Sequence, residues 1–208
     1  MRRVLFALLA VAACSKSEKV APPPTTSAPV KGPLAAEITT PQGVIRCQLL
    51  PEVAPETVAA FVGLARGEKE FRDPKTGQQV KRPFYDGLLF HRVIPEFMIQ
   101  GGDPESIDPD FPHLGTGGPG YTLPDEVSPN VKFDRPGVMA MANRGPGTRS
   151  GGSQFFITEN PVPRLDGGYT IFGRCSNLEV VKAIARVKRG DNDKPDVPVT
   201  MKVKILTE

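Results

Sequence analysis

The amino-acid sequence predicts a mainly β domain carrying two helices, and three observations point there. Short β-like runs recur at residues 88–94, 97–100, 137–142, 154–158, 169–174 and 199–206, each bounded by Gly, Pro, Asn or Asp. Short strands punctuated by turns build barrels and sandwiches rather than parallel sheets. Two more such runs, 37–40 and 44–49, flank Pro41-Gln42-Gly43, whose turn chemistry makes a hairpin. Two further segments place apolar residues at helical spacing. These patterns leave barrel and sandwich both open.

In chain order, Met1-Arg2-Arg3 is a short basic region before the apolar run 4–13, which is too short to cross a bilayer and fits a signal peptide over 1–13. The run ends Val11-Ala12-Ala13-Cys14, and small residues directly before a cysteine resemble the processing site of bacterial lipoproteins, with Cys14 the lipidated residue. The alternative is an ordinary signal peptide with a chance cysteine. Ser15 rather than Asp follows Cys14, which in a Gram-negative cell favours the outer membrane. The expected location is therefore the cell envelope, lipid-anchored on the periplasmic side of that membrane. Residues 15–33 are Ala, Pro, Ser, Thr and Lys with almost no large apolar residue. Such a stretch cannot offset the entropy of ordering, so 14–33 reads as a lipidated cysteine and its tether. Residues 34–208 suit one domain. The chain carries 26 basic and 23 acidic residues, and loss of the leader removes Arg2 and Arg3 to leave 24 against 23, a balance that points away from nucleic acid.

Within the domain, Pro55 can open a helix whose face is Val58, Phe61, Val62 and Ala65, with Gly67 closing it. Residues 67–83 are charged and polar around Asp73-Pro74-Lys75-Thr76-Gly77 and read as an exposed loop without a metal cluster. A second helix fits 177–188, with Leu178, Val181, Ile184 and Ala185 on one face and Ser176 or Asn177 as its cap.

The stretch that organises the chain is Phe90-His91-Arg92-Val93-Ile94-Pro95-Glu96-Phe97-Met98-Ile99-Gln100-Gly101-Gly102-Asp103. It sets one cation and one amide among large apolar residues, the profile of a small binding site. Its two β-like runs are separated by Pro95-Glu96, so Arg92 and Gln100 can converge on one surface. With it go Gly115-Thr116-Gly117-Gly118, Met141-Ala142-Asn143, Gly152-Ser153-Gln154-Phe155-Phe156 and Leu165-Asp166-Gly167 before Phe172-Gly173. In this order the blocks resemble the cyclophilin family of peptidyl-prolyl isomerases from about Leu34 to the C-terminus.

That resemblance implies a closed eight-stranded antiparallel barrel capped by two α-helices, and catalysis of rotation about X-Pro bonds without metal or cofactor; the leader makes exported polypeptides the expected substrates. Arg92 is the expected donor to the prolyl nitrogen and Gln100 the amide that binds the swinging carbonyl. The resemblance assigns Phe97, Met98, Phe156 and Leu165 to an apolar slot for the proline ring, keeps Tyr169 as a wall, and gives Ala142 and Asn143 the preceding backbone. Arg164 stands where many members have Trp, which implies weak cyclosporin binding, and Tyr169 where many have His. Arg144 replaces a commonly small residue and adds a cation at the rim. A monomer is expected.

Bland alternatives stand beside these assignments. An arginine on a strand usually faces solvent, and Phe97, Met98 and Phe156 taken singly read as core. His91 lacks a nucleophile signature, so it reads as a hydrogen-bonded structural histidine rather than a base. The glycine run lacks the Lys-Ser/Thr end of a phosphate loop. Residues 105–113, with His113, look like a loop insertion. A module that grips proline segments without turnover needs the slot but not Arg92 with Gln100, and no hydrolase set can be assembled. Cys47 and Cys175 lie in strand-like stretches of an exported chain, where a disulfide and two buried free thiols are about equally expected.

Overall fold

The structure, a computed structural model, describes residues 34–207; the expected signal peptide, Cys14 and the expected tether lie outside the described residues. The predicted hairpin forms from β1 (Leu34–Thr40) and β2 (Gly43–Leu49), with Thr40 paired to Gly43 across the turn. Its inward residues, Leu34, Ala36, Ile38, Ile45, Cys47 and Leu49, alternate along both strands and are buried, as a half-buried ribbon requires. Helix α1 (Pro55–Arg66) starts on the expected proline and stops where Gly67 turns left-handed at φ 72°, a conformation only glycine adopts without cost. Residues 67–83 are not wholly irregular: β3 (Phe71–Arg72) and β4 (Gln79–Val80) form a small separate ribbon, too short to leave a periodic signal.

The main sheet continues with β5 (Phe90–Ile94), β6 (Met98–Gly101), β7 (Val138–Met141), β8 (Phe155–Thr158), β9 (Ile171–Ser176) and β10 (Lys202–Thr207). Its order is β10-β1-β2-β9-β7-β8-β6-β5, and its ladders are antiparallel. The expected closure does not occur: the sheet is open between β5 and β10. Phe90 N–H donates to Val199 O and Met201 N–H to Leu88 O around the single bridge Leu89–Thr200, but no ladder forms. The seam runs past Pro198, which has no N–H to give, and Val203 N–H turns to the Asp86 carboxylate at 3.4 Å.

Helix α2 (Leu178–Ala185) is shorter than the predicted 177–188. Asn177 precedes it in a left-handed conformation without capping it through its side chain; its Nδ2 instead donates to Val44 O at 2.9 Å. Arg186, just past the helix, pairs with Glu96 and with buried Glu159, and Glu159 accepts the Glu96 N–H at 2.8 Å. These contacts hold the β5–β6 turn, where Glu96 has φ 63°, against α2. The interior joins both helices to the inward side chains of the sheet, with Phe61 packed on Tyr85, Phe155 and Phe172. Cys47 and Cys175 pair directly across β2 and β9, with Cα atoms 3.9 Å apart, and are joined as a disulfide.

Candidate active site

Strand alternation splits β6, β7 and β8 between two apolar clusters. Ile99, Met139, Met141, Phe155 and Ile157 point into the interior. Their neighbours Met98, Ala140 and Phe156 point the other way and form a second cluster with Phe133, Val162 and Ile171. Half-buried Phe97, Ala142, Leu165 and Tyr169 surround it. The residues expected to form a proline slot, Phe97, Met98, Phe156 and Leu165, fall together in this second cluster. Phe156 stacks on Phe133 with centroids 5.8 Å apart and meets Tyr169 edge-on at 5.3 Å, arrangements that fix the rings relative to one another. Met98 and Phe156 do pack as core residues, in a cluster on the opposite face of the sheet from the main interior and bordered by half-buried Phe97, Leu165 and Tyr169.

Arg92 and Gln100 stand opposite each other in the β5–β6 register, on the face that carries Met98 and Phe156. Arg92 Nη1 lies 3.5 Å from Gln100 Oε1. Gln100 Nε2 donates to Gln154 Oε1 at 3.0 Å, and Gln154 Nε2 to Gly117 O at 2.8 Å. Gln154 was not singled out from the sequence, although its place in Gly152-Ser153-Gln154-Phe155-Phe156 marked it. It orders Gln100 so that the amide's donor and acceptor ends are assigned.

Ala142 N–H donates to Gln154 O at 2.9 Å, so the group it can offer an extended peptide is its carbonyl. Asn143 uses its side chain to hold the adjoining loops, with Nδ2 on Gly168 O at 2.9 Å and Oδ1 receiving Gly145 N–H at 3.1 Å. Its side chain is thereby taken up in holding these loops together. Beside these residues lies a cleft of about 400 Å³, bounded by Gln100, Asn143, Arg144, Gln154 and the glycine loop at 115–120. Buried Asp103 builds that loop: its carboxylate accepts the N–H groups of Glu105, Gly115 and Gly117. A Cβ on Gly117 would come within 2.2 Å of Asp103 Oδ1, so any larger residue here would push the carboxylate that builds the loop aside.

Cations surround this region. Arg92 and Arg144 are exposed, and the Arg164 guanidinium lies 4.5 Å over the Phe97 ring, a cation–π contact. His91 is buried against Gly115, and neither ring nitrogen has a hydrogen-bond partner among the described residues. Its burial is compatible with the structural role expected from the sequence, while the hydrogen bond expected with it does not meet normal geometry. Burial lowers its pKa, which the charge of Asp103 partly opposes. Among the described residues no three His, Cys, Asp or Glu side chains gather as a metal would require.

The family model of the "Cyclophilin type peptidyl-prolyl cis-trans isomerase/CLD" matches residues 35–205. The chain is 46% identical over 169 residues to peptidyl-prolyl cis-trans isomerase A of Mycobacterium tuberculosis, covering 80% of this chain and 88% of that one. It is 49% identical over 155 residues to peptidyl-prolyl cis-trans isomerase B of Streptomyces anulatus, covering 73% and 83%. A crystal structure of a cyclophilin type isomerase from Cryptosporidium parvum superposes with a TM-score of 0.69 at 29% identity, over 84% of this chain and 98% of that one. With the eight-stranded sheet, its two helices and the second apolar cluster already in place, the chain belongs to the cyclophilin family and is a peptidyl-prolyl cis-trans isomerase.

Proposed function

We propose that this isomerase acts on X-Pro bonds of exported polypeptides at the cell envelope, with Arg92 as the group that stabilises the twisted peptide bond. Amide resonance gives the rotation a barrier of roughly 18–20 kcal/mol. At the twisted geometry the prolyl nitrogen regains its lone pair and becomes an acceptor, so a donor aimed there binds the transition state more tightly than the planar ground state. Arg92 is permanently charged and presents several fixed N–H groups. Gln100 meets the carbonyl that swings during rotation, Met98, Phe156, Phe97, Leu165 and Tyr169 receive the ring, and Ala142 and Asn143 take the preceding backbone in an extended form. The observation that carries this reading is the Arg92–Gln100 pair on the same face as Met98 and Phe156.

Export is supported by the leader-like residues 1–13 and by the Cys47–Cys175 pairing, since disulfides persist in oxidising compartments. The domain spans 34–208 and is tethered by 14–33 to a lipid anchor on Cys14, which places it in the envelope as a monomer on the periplasmic face of the outer membrane. A single acyl chain gives marginal attachment, whereas several hold firmly. Two measurements test the proposal. In a protease-independent isomerisation assay on a short X-Pro peptide, Arg92→Ala lowers kcat/KM by about a hundredfold with the fold intact; a near-full rate would reject Arg92 as the donor. In detergent partitioning, Cys14→Ser moves the protein to the aqueous phase; continued membrane association would reject the anchor.

A further inference from the structure

We infer that Asp193 is a positioning residue for Arg92, an inference that rests on Arg92 being the donor to the prolyl nitrogen. Arg92 is a long side chain standing 45% exposed on β5, and a flexible guanidinium in that setting has many rotamers to lose before it can aim at a substrate nitrogen. Gln100 alone holds it weakly, because 3.5 Å is at the limit of a hydrogen bond. Asp193 supplies a second, electrostatic contact that is too long to be a hydrogen bond but carries a full negative charge: its Oδ2 lies 3.8 Å from Arg92 Nε, while Gln100 meets Nη1. The charge at Nε and the contact at Nη1 together bias the guanidinium toward one orientation. Among the described residues Nη2 makes no hydrogen bond, which leaves its N–H groups to turn toward the substrate.

The loop between α2 and β10 is built to put the carboxylate there. Arg189 bridges to Pro195, and Gly190 N–H donates to Lys194 O at 2.9 Å, which closes the loop at its base. Lys194 Nζ donates to Pro109 O at 2.6 Å and ties it to the insertion at 105–113. At its tip Asn192 and Asp193 both take left-handed backbone, with φ 58° and 59°. Consecutive non-glycine residues in that region cost conformational energy and persist only where the surroundings impose them. Arg189 Nε lies 3.3 Å from Asp193 Oδ1, so the carboxylate is divided between two arginines. Arg92 is oriented by Oδ2 but not clamped by both oxygens, and can still turn its free edge to the substrate.

The test is a double-mutant cycle. Asparagine tolerates left-handed backbone as aspartate does, so Asp193→Asn removes the charge and keeps the loop. On a short X-Pro peptide, Asp193→Asn is expected to lower kcat about fivefold with KM within about twofold and Tm unchanged, because the contact it orients is made in the transition state. In the Arg92→Ala background the same substitution is expected to change nothing. The Arg92 Nε–Hε resonance should also shift in Asp193→Asn. Wild-type kcat in Asp193→Asn, or an equal loss in both backgrounds, would overturn the inference while leaving Arg92 in place. A wild-type rate in Arg92→Ala would instead remove the donor assignment, and this inference with it.

Discussion

Arg92 on β5 and Gln100 on β6 face each other across a single antiparallel pair, with Nη1 3.5 Å from Oε1, and Gln154, just before the neighbouring strand β8, fixes the far end of the amide. A cation and a neutral amide are thereby held at adjacent points of one surface. Neither needs to change protonation state for an X-Pro bond to turn.

Gln100→Ala is expected to lower kcat/KM about tenfold, the worth of one hydrogen bond realised in the transition state. Gln154→Ala lowers it less, because Gln100 keeps its place in β6 and loses only its orientation. Progress curves on a short X-Pro peptide measure both. A larger loss for Gln154→Ala than for Gln100→Ala would contradict the order of action.

Cys47 and Cys175 are 128 residues apart in sequence, so their bond constrains a long loop of the unfolded chain. Reduction is expected to cost about 2–4 kcal/mol of stability. In a Cys14→Ser protein, thiol titration of the denatured, unreduced chain should find no free thiol and then two after reduction. Two thiols before reduction would exclude the bond.

Burial holds the His91 imidazole below its ordinary value of 6.5. The folded protein therefore takes up this proton less readily than the unfolded chain, and unfolding gains protons as pH falls. The stability that neutral His91 contributes is complete above 6.5 and is lost progressively below it. Thermal unfolding between about pH 7.5 and about pH 5.5 should show Tm declining for the wild type and a shallower decline for His91→Met. Equal slopes would assign the dependence elsewhere; His113, the other histidine of the chain, is exposed.

Arg164 covers Phe97 where a tryptophan is common in the family. Arg164→Trp replaces an exposed cation with a flat apolar ring and an indole N–H. Cyclosporin affinity measured by calorimetry is expected to rise at least about tenfold, which is about 1.4 kcal/mol. The isomerisation rate should change less than about twofold, since Arg164 does not reach the Arg92–Gln100 pair. An unchanged affinity would show that the residue at 164 does not limit cyclosporin binding.

The sequence by itself determined what is written in local periodicity and in contiguous blocks. The 3.6-residue spacing and the terminal Pro55 and Gly67 set α1, the two-residue alternation set β1, β2 and β6, and the 90–103 block carried Arg92 and Gln100 on one hairpin. It could not decide between barrel and sandwich, nor predict that the sheet stays open, because closure depends on how β5 meets β10 across more than a hundred residues. It left the two cysteines even, since only the β2–β9 register brings them opposite each other. It missed Gln154, Asp103 and Asp193 as parts of the site, because each acts through a partner distant in sequence or through a backbone conformation that composition does not encode. Alternation explains why Phe155 and Phe156 differ in role, but which of the two faces inward was decided by the packing of Phe61 and Tyr85 against Phe155. Local propensity is set by neighbours in the chain, whereas these contacts exist only once distant strands have been brought together.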